Sequence, residues 1–148
     1  MTPALRLHHL LLSWLLLAGP AWGLSDALQQ QLDRAVLAHE SGRLDEARRA
    51  FEKLSRAGVP AADYDLAVMH LRGELPRASP QEALRLLTRA AERGFVTAQF
   101  GLGQLYDNGE LGARDLARAN HWYQRAAESG SVDAQVAIAT AHYLGRGT

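Results

Sequence analysis

Residues 98–130 read A-Q-F-G-L-G-Q-L-Y-D-N-G-E-L-G-A-R-D-L-A-R-A-N-H-W-Y-Q-R-A-A-E-S-G, and this stretch is one copy of a recurring unit. A shift of 36 residues lays Ala62 and Ala134 on Ala98, Leu66 and Ile138 on Leu102, and Gly73 and Gly145 on Gly109 without a gap. The downstream half keeps the same register: Ala83, Ala90, Ala91, Glu92 and Gly94 stand 36 residues before Ala119, Ala126, Ala127, Glu128 and Gly130. Self-similarity at a period of a few tens of residues marks stacked supersecondary units, none of which buries its apolar face alone. Apolar residues spaced three and four apart within each half make those units helical. The implied fold class is all-α, a right-handed α-solenoid of stacked helix-turn-helix repeats.

Working outward, residues 59–95 form the preceding unit and 132–148 an incomplete following one. Pro60 suits a first helical turn, and Pro76 prevents the first helix from running through the connection after Gly73. Ser79-Pro80-Gln81-Glu82 restarts a helix, with Ser79 as cap, Pro80 at the first position and Glu82 completing a capping box. Asp115 takes the place of Ser79 in the next unit, where a carboxylate favours the positive end of the helix dipole. Residues 24–58 hold a hairpin with a tighter turn, since Gly42 lies 31 residues before Gly73. The chain ends inside the inter-helix turn of the last unit, so no second helix covers Val136, Ile138 and Ala141. The expectation is a frayed final helix in a piece of a longer array.

Residues 1–23 differ in kind. Arg6 is their one formal charge, an apolar run from 10 to 18 is broken only by Ser13, and Gly19-Pro20 precedes the small residues around Trp22. That pattern predicts a secretory signal peptide cleaved after Gly23, with Ala18 and Ala21 as alternative sites. Such a run is short of the roughly 20 residues a bilayer span needs, so membrane contact is expected only through an uncleaved leader. The mature chain is then expected in an exported compartment, periplasmic or secreted. Sixteen basic and 16 acidic residues cancel, which argues against a nucleic-acid partner. With no cysteine, disulfides, thiolate metal sites and cysteine nucleophiles are excluded.

The run Leu102-Gly103-x-x-Tyr106-x-x-Gly109, followed by Asp115, Ala119, Trp122-Tyr123, Ala126-Ala127-Glu128 and Gly130, resembles the Sel-1-like repeat, a longer-turned relative of the tetratricopeptide repeat. The resemblance covers residues 59–148, and the first hairpin is similar to an ordinary tetratricopeptide unit. It departs from the family pattern at Leu111-Gly112 and Leu75-Pro76 in the turns, and at Leu86-Leu87 where an aromatic pair is expected. The resemblance implies a non-enzymatic adaptor that assembles proteins, often in secretory or envelope compartments. Its other implication is a hydrolase acting on a cell-wall-related substrate, known for cysteine-rich members; a structural spacer in a longer envelope protein is a third reading.

Gly101-Leu102-Gly103 opens like a dinucleotide fingerprint, but Tyr106 fills the sixth position and the stretch before it is helical, so no cofactor is expected. His70 and His142 share a column with Tyr106. Spaced a hairpin or more apart, roughly 10 Å at least, they cannot share a metal with ligand bonds near 2 Å and read as half-buried packing residues. Arg89, Glu92, Arg125 and Glu128 read as a solvated face of the second helices. Gly103, Ala67 and Ala139 form one small-residue column, and Ala126 and Ala90 another, where helices approach closely. A curved stack is expected to take a protein or peptide on its concave first-helix face. Two columns there are candidate contacts, read as solvent-facing: Asp63, Gln99 and Gln135, and five residues later Val68, Gln104 and Thr140. Amides in these columns can pair with a ligand backbone through both donor and acceptor.

Overall fold

The computed structural model describes residues 24–110 and 112–146. The expected leader, Leu111 in the atypical turn, and the last two residues lie outside them. Seven α-helices occur in order among the described residues: α1 Asp26–Glu40, α2 Leu44–Arg56, α3 Pro60–Leu71, α4 Pro80–Glu92, α5 Val96–Asn108, α6 Leu116–Glu128 and α7 Val132–Tyr143. No strand occurs among the described residues. The starts of α3, α5 and α7, and those of α2, α4 and α6, are 36 residues apart in each set. Helices pack chiefly on their neighbours in sequence, which makes the chain an all-α helical repeat solenoid.

Small residues sit where helices cross. Ala47, Ala62, Ala67, Ala83, Ala90 and Ala98 are fully buried. Phe51, Leu54, Met69, Leu87 and Leu102 fill the space between them. Buried apolar side chains run continuously from Leu32 in α1 to Trp122 in α6, and Ala119, Tyr123, Ala126 and Ala134 make a second cluster toward α7. Each large side chain so buried contributes about 1.5–3 kcal/mol before the entropy of ordering is subtracted.

Turn chemistry sets the register. Gly109 closes α5 at φ +71°, and a Cβ there would approach Arg114 N and Gly112 O to 3.1 Å, so both the dihedral and the tight return loop require glycine. Ser79 Oγ accepts from Glu82 N at 3.2 Å, and Asp115 Oδ1 from Arg118 N at 2.9 Å. The capping box is only half made. Glu82 turns to Arg85, while the Ser79 N–H donates to His70 Nδ1 at 3.1 Å. One repeat later the equivalent N–H, of Asp115, donates to the Tyr106 carbonyl at 2.9 Å. The histidine of this column therefore holds the next helix's cap through its ring, where the tyrosine does so through its backbone.

α7 is formed through Tyr143 rather than frayed. Gly145 turns the chain at φ +63° and Arg146 N donates to Ala141 O at 2.8 Å, satisfying carbonyls of the last turn. Its flank is bare: Val132, Val136 and Tyr143 are 67%, 60% and 90% exposed, and only Ala134 is buried. His142 and Ala139 are exposed as well, so the packing roles expected of them are not filled, whereas His70 is half-buried as expected.

Between α1 and the turn after α3, His39 Nε2 and Glu74 Oε2 lie 2.6 Å apart. Asp65 sits in the same neighbourhood, and burial pushes its carboxyl up to about 6 against a smaller opposing pull from His39. A carboxyl raised on folding favours the native state below its unfolded value near 3.8, and that contribution is lost as pH climbs through about 6. Asp65→Asn is therefore expected to match the parent near pH 4 and to exceed it in thermal stability at pH 7. An equal gap between the two melting curves at both pH values would contradict this.

Candidate functional site

Two members of the first predicted column turn inward. Asp63 is fully buried and Gln99 is 2% exposed, against the expected solvent-facing placement. In the first turn of α3, Asp63 meets α4: Arg89 Nε donates to its Oδ2 at 2.8 Å, and Arg89 Nη2 to its Oδ1. The same Nη2 donates to Ser55 Oγ at 2.6 Å, so one guanidinium ties α2, α3 and α4 together. Arg93 Nη1 is 3.5 Å from the carboxylate. Arg89 is thus no member of a solvated face, and the hydrogen bonds to Asp63 raise its pKa further above the usual range. Glu92 and Glu128 are exposed as expected, while Arg125 is half-buried over the Trp122 ring, 5.2 Å from its centroid.

Gln99 serves its own chain. Its Nε2 donates to the Ala91 carbonyl at 3.1 Å, within the last turn of α4, where carbonyls lack intrahelical partners. Gln135 repeats that geometry on Ala127 O at 3.5 Å, yet its residue remains exposed. These two amides, expected to read a ligand backbone, read the preceding helix instead. Gln99 Oε1 is buried with no hydrogen-bond partner among the described residues.

The second column stays at the surface. Gln104 and Thr140 are exposed, and Val68 is half-buried. Val68 and Gln104 line a groove of about 260 Å³ between α3 and α5, together with Tyr64, Leu71 and Gly101. Leu71 is 41% exposed at its edge, and Leu37 on α1 is 57% exposed. Gly101 has no neighbour within 4 Å of where a Cβ would sit, so the groove is open there. Thr140 lies apart, in a cleft of about 150 Å³ between α6 and α7. Leu71 and Tyr64 were missed by the sequence reading, although their place on α3 beside Val68 was visible in its period.

Chemistry finds little purchase. Among the described residues no group of three His, Asp or Glu stands close enough to hold a metal ion. Burial and the Asp107 charge push the Tyr123 phenol up to about 12, so it stays protonated at neutral pH and acts as a packing ring. Among the described residues no helix is long and apolar enough to cross a membrane.

Hairpins repeated every 36 residues, packed neighbour on neighbour and leaving shallow grooves between them, define a helical-repeat scaffold. Residues 60–95 and 96–131 each match the Sel1 repeat family, and the chain is a Sel-1-like repeat protein. Such repeats generally mediate protein–protein interaction and typically do so as non-enzymatic scaffolds. The chain is similar to a Sel1 repeat protein from Oxalobacter formigenes, with 27% identity, TM-score 0.73 and coverage of 81% of this chain and 51% of that one. It is also similar to c5321, a protective antigen present in uropathogenic Escherichia coli strains that displays an SLR fold, with 25% identity, TM-score 0.72 and coverage of 82% of this chain and 27% of that one. The chain therefore spans about half the length of the first and about a quarter of the second. No curated protein matches it.

Proposed function

We propose that this chain is a non-enzymatic adaptor of an exported compartment that holds a peptide segment of a protein partner against its first-helix face. The observation that carries the reading is the groove between α3 and α5, where the half-buried Val68 and exposed Leu71 border the exposed amide of Gln104. An extended segment lying there would bury apolar side chains on Val68 and Leu71 and find a donor and an acceptor in Gln104. The charge and apolar pattern of residues 1–23 supports export. Asp63 and Gln99 are buried and do not line this groove, so they are not assigned to the partner contact.

A photoactivatable crosslinker in place of Gln104 is expected to capture a partner in extract of the exported compartment, and Val68→Arg with Gly101→Arg is expected to abolish that capture. The same crosslinker in place of Gln124, on the outer side of α6, should capture nothing in common. Identical adducts from both positions, or adducts that survive the two arginines, would remove this groove from the function.

A further inference from the structure

A second cleft lies on the other side of the hairpins, between the second helices α2 and α4, with a volume of about 520 Å³. Five arginines line it, Arg48, Arg56, Arg77, Arg85 and Arg89, against the carboxylates of Glu52 and Glu82. Three of these cations are already engaged. Arg48 pairs with Asp45 at 2.6 Å and with Glu52 at 2.8 Å, Arg85 with Glu82, and Arg89 with the buried Asp63. Arg56 and Arg77 are exposed, and neither has an ion-pair partner among the described residues. In a chain of zero formal net charge, two unpaired guanidiniums are thereby left on one cleft.

Between the cations lies an apolar floor. Leu66 and Leu86 are buried with 5% and 3% exposure, and Leu75 and Pro76 come from the inter-helix turn of the same hairpin. In the turn after α5 the equivalent positions are Leu111 and Gly112, so of the two lip residues Pro76 is particular to the second unit. Pro76 fixes its own φ and restricts Leu75 before it, which limits the backbone freedom of the turn from which Arg77 projects.

We propose that this cleft binds an acidic peptide segment, one carboxylate meeting Arg56 or Arg77 and a neighbouring apolar side chain lying over Leu66, Leu75 and Leu86. The site is separate from the groove of the first-helix face and does not depend on it. Guanidinium forks match carboxylates in bidentate geometry, and the ion pairs along the walls hold Arg48, Arg85 and Arg89 in place without consuming the two outer cations. The volume suits one or two side chains, not a folded domain. An inorganic anion would satisfy the arginines but leave the apolar floor wet, so the lining as a whole favours a peptide in which acidic and apolar residues adjoin.

The test is fluorescence anisotropy of the full chain with a labelled peptide alternating Glu and Leu, beside the same peptide with Gln for Glu. The Glu peptide is expected to bind, and the Gln peptide about tenfold more weakly, as the loss of charge-assisted hydrogen bonds implies. Arg56→Glu with Arg77→Glu should weaken the Glu peptide by at least about tenfold, while Arg34→Glu on α1 should leave it unchanged. Because Arg56 and Arg77 are exposed and unpaired, the fold is expected to survive their reversal, and unchanged circular dichroism checks this. Equal binding of the two peptides, undiminished binding by the double variant, or no binding at all would overturn the proposal. So would displacement of the peptide by inorganic phosphate at matched ionic strength, since that would show a site blind to the apolar floor. None of these results bears on the crosslinks formed from position 104.

Discussion

Arg89→Ala is expected to lower the unfolding free energy of the chain by about 3 kcal/mol, near the lower end of the cost of breaking a buried ion pair, since Arg93 remains 3.5 Å from the carboxylate. Asp63 is fully buried beneath the guanidinium, while Arg89 itself is 32% exposed, so part of the pair's attraction is screened and the upper end of that range is not reached. Truncation removes more than the pair. Ser55 Oγ loses its donor, and the link from α4 back to α2 goes with it. Replacing both partners, Asp63→Leu with Arg89→Met, is expected to restore most of the loss, because the desolvation penalty of the carboxylate disappears with its charge. Urea unfolding of the parent, the single and the double variants measures this. A single variant within about 0.5 kcal/mol of the parent would show that the pair behaves as an ordinary surface ion pair.

That pair also marks where sequence reading stops. The period was legible because its signals are local: Pro60, Ser79, Pro80, Asp115 and the closing glycines each fix a helix end within a few residues, and the helix starts and closing glycines recur in register. Which face of a first helix meets solvent is not a local property. A helix inside a solenoid is covered by its hairpin partner and by the adjoining hairpin, so only a narrow stripe remains wet, and α3, α5 and α7 are apolar over most of their circumference. Aspartate and glutamine are exposed in most proteins, and that prior placed position 63 and its repeats on the surface. The contrary signal was Arg89, 26 residues ahead on another helix, and no rule of spacing along the chain connects the two. Position 68 and its repeats, five residues on, did face outward, which is why Val68 and Gln104 share a groove. The capping box at Ser79 failed for a related reason: the motif named the right cap, but His70, nine residues away, took the backbone donor that Glu82 was expected to receive.

The columns Gly103 and Tyr123 were each legible, but their meeting was not, and the largest steric effect in the chain is expected there. A Cβ built on Gly103 falls against Cδ1 and Cε1 of the Tyr123 ring and 3.0 Å from its Cγ. Tyr123 is only 5% exposed and packs at a tilt against Phe100 with ring centroids 5.7 Å apart, so the ring cannot swing aside into solvent. Gly103→Ala gains about 1 kcal/mol of helix propensity and incurs an overpacking cost of about 1–3 kcal/mol, so the substitution is expected to destabilise despite the better helix former. Gly103→Val should cost more still and open the α5–α6 hairpin. The compensating change lies in the chain itself, since one repeat earlier the same two columns hold Ala67 and Leu87, both buried. Gly103→Ala combined with Tyr123→Leu rebuilds that pair in the third unit and is expected to recover the stability that Gly103→Ala loses, as read by thermal unfolding in far-ultraviolet circular dichroism. A Gly103→Ala chain more stable than the parent would mean that the helices part at little cost and that close approach of α5 and α6 does not hold this hairpin together. A double variant no better than the single one would place the constraint on Tyr123 in its packing against Phe100 rather than in its contact with position 103.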